Sequence, residues 1–418
     1  MTETPSDADA YLRLLDPAVR PDPYPLFAQL RAGGPFRIST APIIVLSRHA
    51  DCAAMLRDPR ASVDRALATR PMGSMPIHGR DADDGAAQGK PSFLFLDPPD
   101  HTRLRRLVST AFTPRMVARL EPRITELVDA ALDRVADTGG LDAVEDFAYP
   151  LPVAVICELL GVPLEDEPLL RRWSALLART LDPAPRATAE FNADPGELER
   201  AGNELYDYFE QLTAQRRARP GDDLLSRLIA AEDSGDMLDH DELITTCALL
   251  LIAGHETTVN LIANGVLALL RNPNVLSTLR AVPGLASAVV EETLRYDPPA
   301  QLVPRIAAAD LRIGGIDIGA GDFVVMLLAA ANRDPDVFAD PDRFDPYRDN
   351  RHLAFGLGGH FCLGAPLARL EGRIALEHFA RRVRSPLLRV DPPPYRDHVN
   401  LRGPAALPIE FSGIAPRH

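Results

Sequence analysis

Apolar residues recur at helical spacing along most of this chain, which predicts a mainly helical protein. The longest such stretch, residues 238–270, is apolar on nearly every face and contains Gly254. A helix with this pattern is expected to be buried, and we expect Gly254 to interrupt it. The same spacing predicts further helices at residues 22–32, 50–56, 97–108, 116–136, 150–160, 166–181, 196–216, 222–232 and 284–296.

Strand-like patterns are short and confined to a few regions. Residues 35–47 alternate and predict two strands of a small sheet, and three further runs lie at 311–313, 316–318 and 323–328. The C-terminal residues 386–412 indicate short strands and turns. The 39 prolines favour helices separated by turns. We therefore predict an α+β fold that is mainly α with small β-sheets.

Charge and cysteine content narrow the classes of function. The net charge is −14 and no basic run is present, so we expect no nucleic acid partner. The 4 cysteines form no Cys-x-x-Cys pair, which favours neither a zinc site nor a disulfide framework and fits a reducing cytoplasm. The N-terminus lacks a signal-peptide pattern, and no uninterrupted apolar run predicts a membrane span. We therefore expect a cytoplasmic protein.

One cysteine has unusual surroundings. Cys362 follows a glycine-rich stretch and precedes a helical pattern over residues 366–379. Glycines let the backbone approach the sulfur, and the start of a helix favours a thiolate. Such a thiolate can be an axial ligand of haem iron. A buried structural cysteine beside a glycine turn is the alternative.

The stretch from Phe355 to Gly364 resembles the haem-binding signature of the cytochrome P-450 family, Phe-x-x-Gly-x-x-x-Cys-x-Gly. The resemblance covers nearly the whole chain, in which we find no linker. It implies a single cytochrome P-450 domain over residues 1–418. It also implies that heme b lies between the kinked long helix and the helix after Cys362. Phe355 and Cys362 would border the cofactor, with Cys362 as the metal ligand.

The long helix carries the sequence AGHETT at residues 253–258. An acid and an alcohol in an apolar helix are costly unless satisfied, and a hydroxyl that bonds a backbone carbonyl can bend the helix. The motif resembles the oxygen-activation segment of the same family. The resemblance implies that Thr257 hydrogen-bonds activated oxygen, that Glu256 relays protons, and that Ala253 and Gly254 border the haem. A buried threonine contact is the alternative.

A zinc-protease interpretation of this motif fails, because Val259 occupies the position of the second histidine.

Haem carboxylates need cationic donors, and arginine suits them geometrically. The resemblance assigns the propionates to His101, Arg105, Arg305 and His360. His101 taken alone would be read as a solvated surface residue.

Glu292 and Arg295 stand at i,i+3 and would by themselves indicate a routine surface pair. The resemblance instead implies that Glu292, Arg295 and Arg343 form a buried structural network around the haem. Pocket residues are expected in two segments without a periodic pattern, 64–92 and 182–195, which suggest binding loops or disorder. The family's topology adds Leu250, Ala253, Leu302, Val303, Pro304, Asn400 and Leu401.

These features predict a haem-thiolate monooxygenase that inserts one oxygen atom of O2 into a hydrophobic small molecule. NAD(P)H would supply electrons through a ferredoxin and its reductase, and we expect a monomer. The substrate is not predicted. Peroxide-driven hydroxylation on the same fold is a second hypothesis, which the Glu256–Thr257 pair disfavours. A haem-based ligand binder or sensor is a third.

Overall fold

The computed structural model describes residues 7–38, 43–69, 90–181, 195–233 and 238–417. Helices dominate these residues, as the apolar spacing predicts. They are α1 (Asp7–Arg13), α2 (Tyr24–Gly33), α3 (His49–Arg57), α4 (Asp100–Ser109), α5 (Pro114–Ala118), α6 (Glu121–Arg134), α7 (Pro150–Leu160), α8 (Glu167–Ala178), α9 (Pro195–Ala218), α10 (Leu224–Asp233), α11 (His240–Arg271), α12 (Pro273–Ala281), α13 (Ala286–Tyr296), α14 (Leu328–Ala331) and α15 (Ala365–Arg382).

The strands are short and form small sheets. They are β1 (Phe36–Arg37), β2 (Ile43–Leu46), β3 (Ala61–Ser62), β4 (Gly140–Asp142), β5 (Val303–Ala307), β6 (Leu311–Ile313), β7 (Ile316–Ile318), β8 (Phe323–Met326), β9 (Val383–Arg384), β10 (Leu387–Leu388), β11 (Pro408–Glu410) and β12 (Gly413–Ile414).

The largest sheet is five-stranded, in the order β1-β2-β8-β5-β3. Its β2–β8 pair is parallel and its other pairs are antiparallel. Side chains alternate across it, so that Ile44 and Leu46 of β2 face α3 while Val45 faces the cluster formed with α1 and α2. The sheet is therefore buried on both faces. It holds β5, the strand that carries Arg305.

Helix α11 runs through the main hydrophobic core and packs against α7, α13 and α15. A capping box starts it: Asp239 Oδ1 accepts from the Glu242 N–H at 2.9 Å, and Glu242 Oε2 accepts from the Asp239 N–H at 3.0 Å. Among the described helices, α11 is long and apolar enough to cross a membrane by length and composition. However, 83% of its most apolar window is buried inside the protein, as in a core helix.

Two details of the predicted helices are wrong. α11 continues through Gly254 without the expected interruption, although the Thr257 and Thr258 hydroxyls bond backbone carbonyls of the same helix. The single helix predicted at 116–136 is split into α5 and α6, since Pro122 lacks an N–H and begins a new helix. Helices α1 and α12 were not predicted.

Candidate functional site

Cys362 lies in the turn that leads into α15. Its backbone N–H donates to the Phe355 carbonyl at 2.8 Å, which closes the glycine-rich stretch into a loop. Gly358, with φ +72°, packs so closely that an added Cβ would lie 2.6 Å from the Leu56 carbonyl oxygen. Only glycine fits this position. The loop therefore holds the cysteine at a fixed distance from the start of α15.

The surroundings of the sulfur favour a thiolate in part. Burial raises the pKa of the Cys362 thiol, while the N–H groups of Gly364 and Ala365, together with the Arg105 guanidinium, act to lower it. The other cysteines, Cys52, Cys157 and Cys247, are fully buried, and burial raises the pKa of each of their thiols. Cys362 is thus the only one of the four cysteines that is not buried as a residue.

Four basic side chains, His101, Arg105, Arg305 and His360, converge beside this loop. The His101 and His360 rings lie with centroids 4.0 Å apart, and Arg105 donates to the Phe361 carbonyl. Burial, helped by His101, Arg305 and Arg105, lowers the pKa of His360 to about 3. Burial also lowers the pKa of Arg305 to about 10. Burial and the arginines disfavour the charged forms of His101 and His360, and burial disfavours the charges of Arg105 and Arg305, so a bound anion would stabilise the charged forms of all four.

The donor set fits the two carboxylates of a haem. His101 Nε2 is buried with no partner among the described residues. Asp97 is the acid that acts on this cluster, but its oxygens already accept from the Ser62 hydroxyl and, at 3.1 Å, from the Val63 N–H. Propionate oxygens would satisfy the orphaned nitrogen and restore the charge on the neighbouring groups.

The middle of α11 opens to solvent-accessible space, although its flanks are buried. Ala253 is exposed and Gly254 and Thr257 are half-buried, within a helix whose other residues are almost all buried. The Thr257 hydroxyl donates to the Ala253 carbonyl at 3.0 Å, and the Thr258 hydroxyl donates to the Gly254 carbonyl at 3.3 Å. A flat cofactor could therefore lie against this part of the helix, with the Thr257 hydroxyl beside it.

Glu256 is buried on a different side of α11, where it contacts Arg396 and lies near His255. Its Oε2 accepts from Arg396, a residue of the C-terminal segment, and its Oε1 lies 3.6 Å from His255 Nε2. Burial acts to raise the pKa of Glu256, but His255 and Arg396 outweigh it and lower that pKa to about 2. No motif surrounds Arg396, so the sequence analysis did not find it.

The predicted Glu292–Arg295 pair is fully buried, and both side chains are 0% exposed. Two parallel bonds of 2.7 Å join the guanidinium to the carboxylate, and Arg295 also donates to the carbonyls of Asn332, Pro341 and Arg343. The two residues thereby tie α13 to the segment that precedes the Cys362 loop.

The predicted role of the Arg343 side chain is wrong. That side chain is 65% exposed and pairs with Asp345, and only the Arg343 backbone carbonyl reaches the network. Arg348, 9% exposed, instead donates to Glu292 Oε1 at 3.1 Å. Both arginines lie in one turn-rich segment. The sequence alone did not indicate which of them points inwards.

The predicted pocket segments are partly brought together. Leu302 and Leu401 are buried, and the Asn400 side-chain oxygen accepts from the Leu302 N–H at 3.3 Å. This contact joins the C-terminal segment to the start of β5. Leu250 is buried in α11. The predicted loops 64–92 and 182–195 lie largely outside the described residues.

The chain is similar to known proteins over most of its length. The sequence model described as Cytochrome P450 matches residues 80–281 and 284–404. The chain is 43% identical over 398 residues to the Vitamin D(3) 25-hydroxylase of Pseudonocardia autotrophica, covering 93% of each protein. It is 41% identical over 401 residues to the cytochrome P450 monooxygenase PikC of Streptomyces venezuelae, covering 93% of this chain and 91% of PikC.

A solved structure is also similar. Ligand-free CYP164A2 of Mycobacterium smegmatis superposes with a TM-score of 0.88 at 50% identity. The match covers 97% of this chain and 100% of that one.

Proposed function

This chain belongs to the cytochrome P450 family and is a haem-containing monooxygenase, and from that premise we propose its substrate class, electron donor and site residues. It inserts one oxygen atom of O2 into a hydrophobic small molecule. Electrons come from NAD(P)H through a ferredoxin and its reductase. The protein acts as a monomer in the cytoplasm.

The observation that carries the site assignment is the environment of Cys362. Cys362 is half-buried as a residue, and its sulfur faces the N–H groups of Gly364 and Ala365 and lies beside Arg105. Cys362 is the proposed axial ligand, and His101, Arg105, Arg305 and His360 hold the propionates. Phe355, Ala253 and Gly254 border the ring. When bound, the haem supplies the oxidation chemistry.

The side chains around the haem position groups and move protons. Thr257, half-buried in the open part of α11, offers a hydroxyl that can donate a hydrogen bond towards oxygen once it leaves the Ala253 carbonyl. Glu256, buried and ionised, accepts and passes protons in the relay to Thr257. Glu292, Arg295 and Arg348 hold the supporting segment in place. None of these last three touches the reacting atoms.

A hydrophobic substrate is supported by the apolar candidates for the pocket and by similar proteins. A solved structure of the myxobacterial CYP267B1, 40% identical to this chain with a TM-score of 0.84, is described as a complex with myristic acid. The P450BioI structure, 37% identical, is described with a hexadecenoic acid ligated to acyl carrier protein. Those ligands are apolar chains, one free and one on a carrier.

A spectral titration of the ferric protein tests this proposal. Fatty acids, terpenoids, steroids and macrolides are added separately, with an azole as the control for an accessible haem. We expect at least one apolar class to produce a low-to-high-spin shift, and its members to be oxidised when a ferredoxin, its reductase and NADPH are present. Turnover with H2O2 alone, and none with the ferredoxin system, would contradict the proposed electron route.

A further inference from the structure

His255 lies beside the acid of α11, yet the proposed function gives it no role. The ring is buried, with Nδ1 2.8 Å from the Leu251 carbonyl oxygen and Nε2 3.6 Å from Glu256 Oε1. A carbonyl oxygen can only accept a hydrogen bond, so Nδ1 must carry a hydrogen. Nε2 therefore faces the carboxylate either as a bare lone pair or as a second N–H.

A bare lone pair facing a carboxylate oxygen in a buried site would be repulsive. Nε2 has no hydrogen-bond partner among the described residues, and 3.6 Å is longer than a hydrogen bond. A proton on either His255 Nε2 or Glu256 Oε1 would remove the repulsion and let the two atoms approach. The contact with Arg396 favours the position on His255 Nε2. Its guanidinium donates to Glu256 Oε2, and a charged donor favours the ionised carboxylate over the neutral acid.

We propose that His255 and Glu256 share one proton, that Arg396 holds this proton on His255, and that His255 supplies it to Glu256 during turnover. The inference rests on the proposed role of Glu256 as a relay. In the transfer the Nε2–H bond breaks and an Oε1–H bond forms, which leaves a neutral imidazole and a neutral acid. Glu256 passes the proton towards Thr257, and water returns a proton to Nε2.

The other charged groups around the pair are engaged with one another. The Tyr149 ring stands edge-on to the His255 ring at 6.3 Å, and its hydroxyl donates to Glu167 at 2.6 Å. The Arg171 guanidinium covers the Tyr149 ring at 4.1 Å and donates to Glu145 at 2.7 Å. Among the described residues, Arg396 is therefore the arginine that contacts Glu256 directly.

Arg396 also borders a cavity that can hold water. The cavity is lined in part by Gln301, Tyr395 and Gly403, and the volume that the centre of a water molecule can occupy is ≈ 20 Å³. That is enough for at least one ordered molecule. Gln301 Oε1 and both amide atoms of Asn260, which adjoins Gly403, are buried without a described partner. Water in this cavity would stand beside both Arg396 and Gln301.

Histidine NMR of the ferrous–CO protein tests where the proton lies. The ¹⁵N signals of His255 are assigned by their loss in His255→Gln. We expect both ring nitrogens to be protonated at neutral pH. A neutral ring there would overturn the inference.

The Arg396 variants provide a second test through the infrared band of protonated carboxyl groups, assigned to Glu256 by its loss in Glu256→Gln. In Arg396→Gln we expect the protonation midpoint of Glu256 to rise by about 1–3 pH units, because a cation in contact has been removed. Arg396→Lys should retain most of the wild-type behaviour. Arg389→Gln removes an exposed arginine of the same segment that pairs with Glu410 at 2.7 Å, and should change nothing. An unchanged midpoint in Arg396→Gln would contradict the role of Arg396.

The solvent deuterium isotope effect on NADPH-dependent O2 consumption separates this inference from the proposed function. We expect it to change in both Glu256→Gln and His255→Gln. No change in Glu256→Gln would refute the relay, and the inference with it. A change in Glu256→Gln but not in His255→Gln would overturn only the inference.

Discussion

At the scale of single residues, the chemistry depends on polar groups placed where an apolar helix or a tight loop leaves space. Thr257 is such a group, since its half-buried hydroxyl lies in the open part of α11. The sequence indicated it because an alcohol within an apolar helix is unusual. Arg396 could not be found in this way. Its partner Glu256 is 140 positions away along the chain, and only the folded C-terminal segment brings the two together.

Replacing Thr257 with alanine should uncouple the reaction. We expect NADPH oxidation to continue while product per NADPH falls several-fold and peroxide rises, because the hydroxyl that positions oxygen and protons is lost. Thr278→Ala is a matched control, since its exposed hydroxyl makes the same bond to a carbonyl four residues earlier, at 2.8 Å. Product and peroxide are measured against NADPH consumed. Unchanged coupling in Thr257→Ala would refute the role of Thr257.

At the scale of elements, the site is a junction of α11, α15 and the segment tied to α13. Helices with a regular apolar spacing, such as α11 and α13, were predicted well, because a repeated spacing is a strong signal. Their connections were not. Arg343 and Arg348 lie in the same turn-rich segment. Arg348 points inwards to its distant partner Glu292, whereas Arg343 pairs locally with Asp345.

The two arginines should therefore differ in their effect on stability. Glu292→Gln breaks a fully buried ion pair and should lower the free energy of unfolding by about 3–5 kcal/mol. Arg348→Ala should also lower the free energy of unfolding, and by more than Arg343→Ala does. Arg343→Ala removes an exposed side chain and should stay within about 0.5 kcal/mol of wild type. Urea unfolding followed by haem absorbance measures this order, and a larger loss for Arg343→Ala than for Arg348→Ala would contradict it.

At the scale of the whole molecule, contacts between distant segments close the structure around the site. Glu291 of α13 accepts from Arg369 of α15 at 2.6 Å and lies 3.1 Å from His352. The helical character and the haem motif could be predicted because they are encoded locally. The pairings across the molecule, including the order of the five-stranded sheet, depend on contacts that no local pattern encodes.

Acid should weaken the molecule through these carboxylates. Although burial acts to raise the pKa of Glu291, His352 and Arg369 lower it from 4.5 to about 2. A carboxylate with a lowered pKa stabilises the fold above pH 4.5, and this contribution is lost as the pH falls towards 2. The thermal midpoint should therefore fall less steeply over that range in Glu291→Gln than in wild type. Glu126→Gln, at an exposed pair, is the control. Equal slopes in Glu291→Gln and in wild type would contradict the lowered pKa of Glu291.

The ferrous–CO spectrum of Cys362→His tests the central claim, that the Cys362 thiolate binds the haem iron. We expect the wild type and the Cys52→Ala, Cys157→Ala and Cys247→Ala variants to show the thiolate-type band. Cys362→His should lose it and show the band of a histidine-ligated haem. A thiolate-type band retained in Cys362→His would contradict the assignment of the ligand.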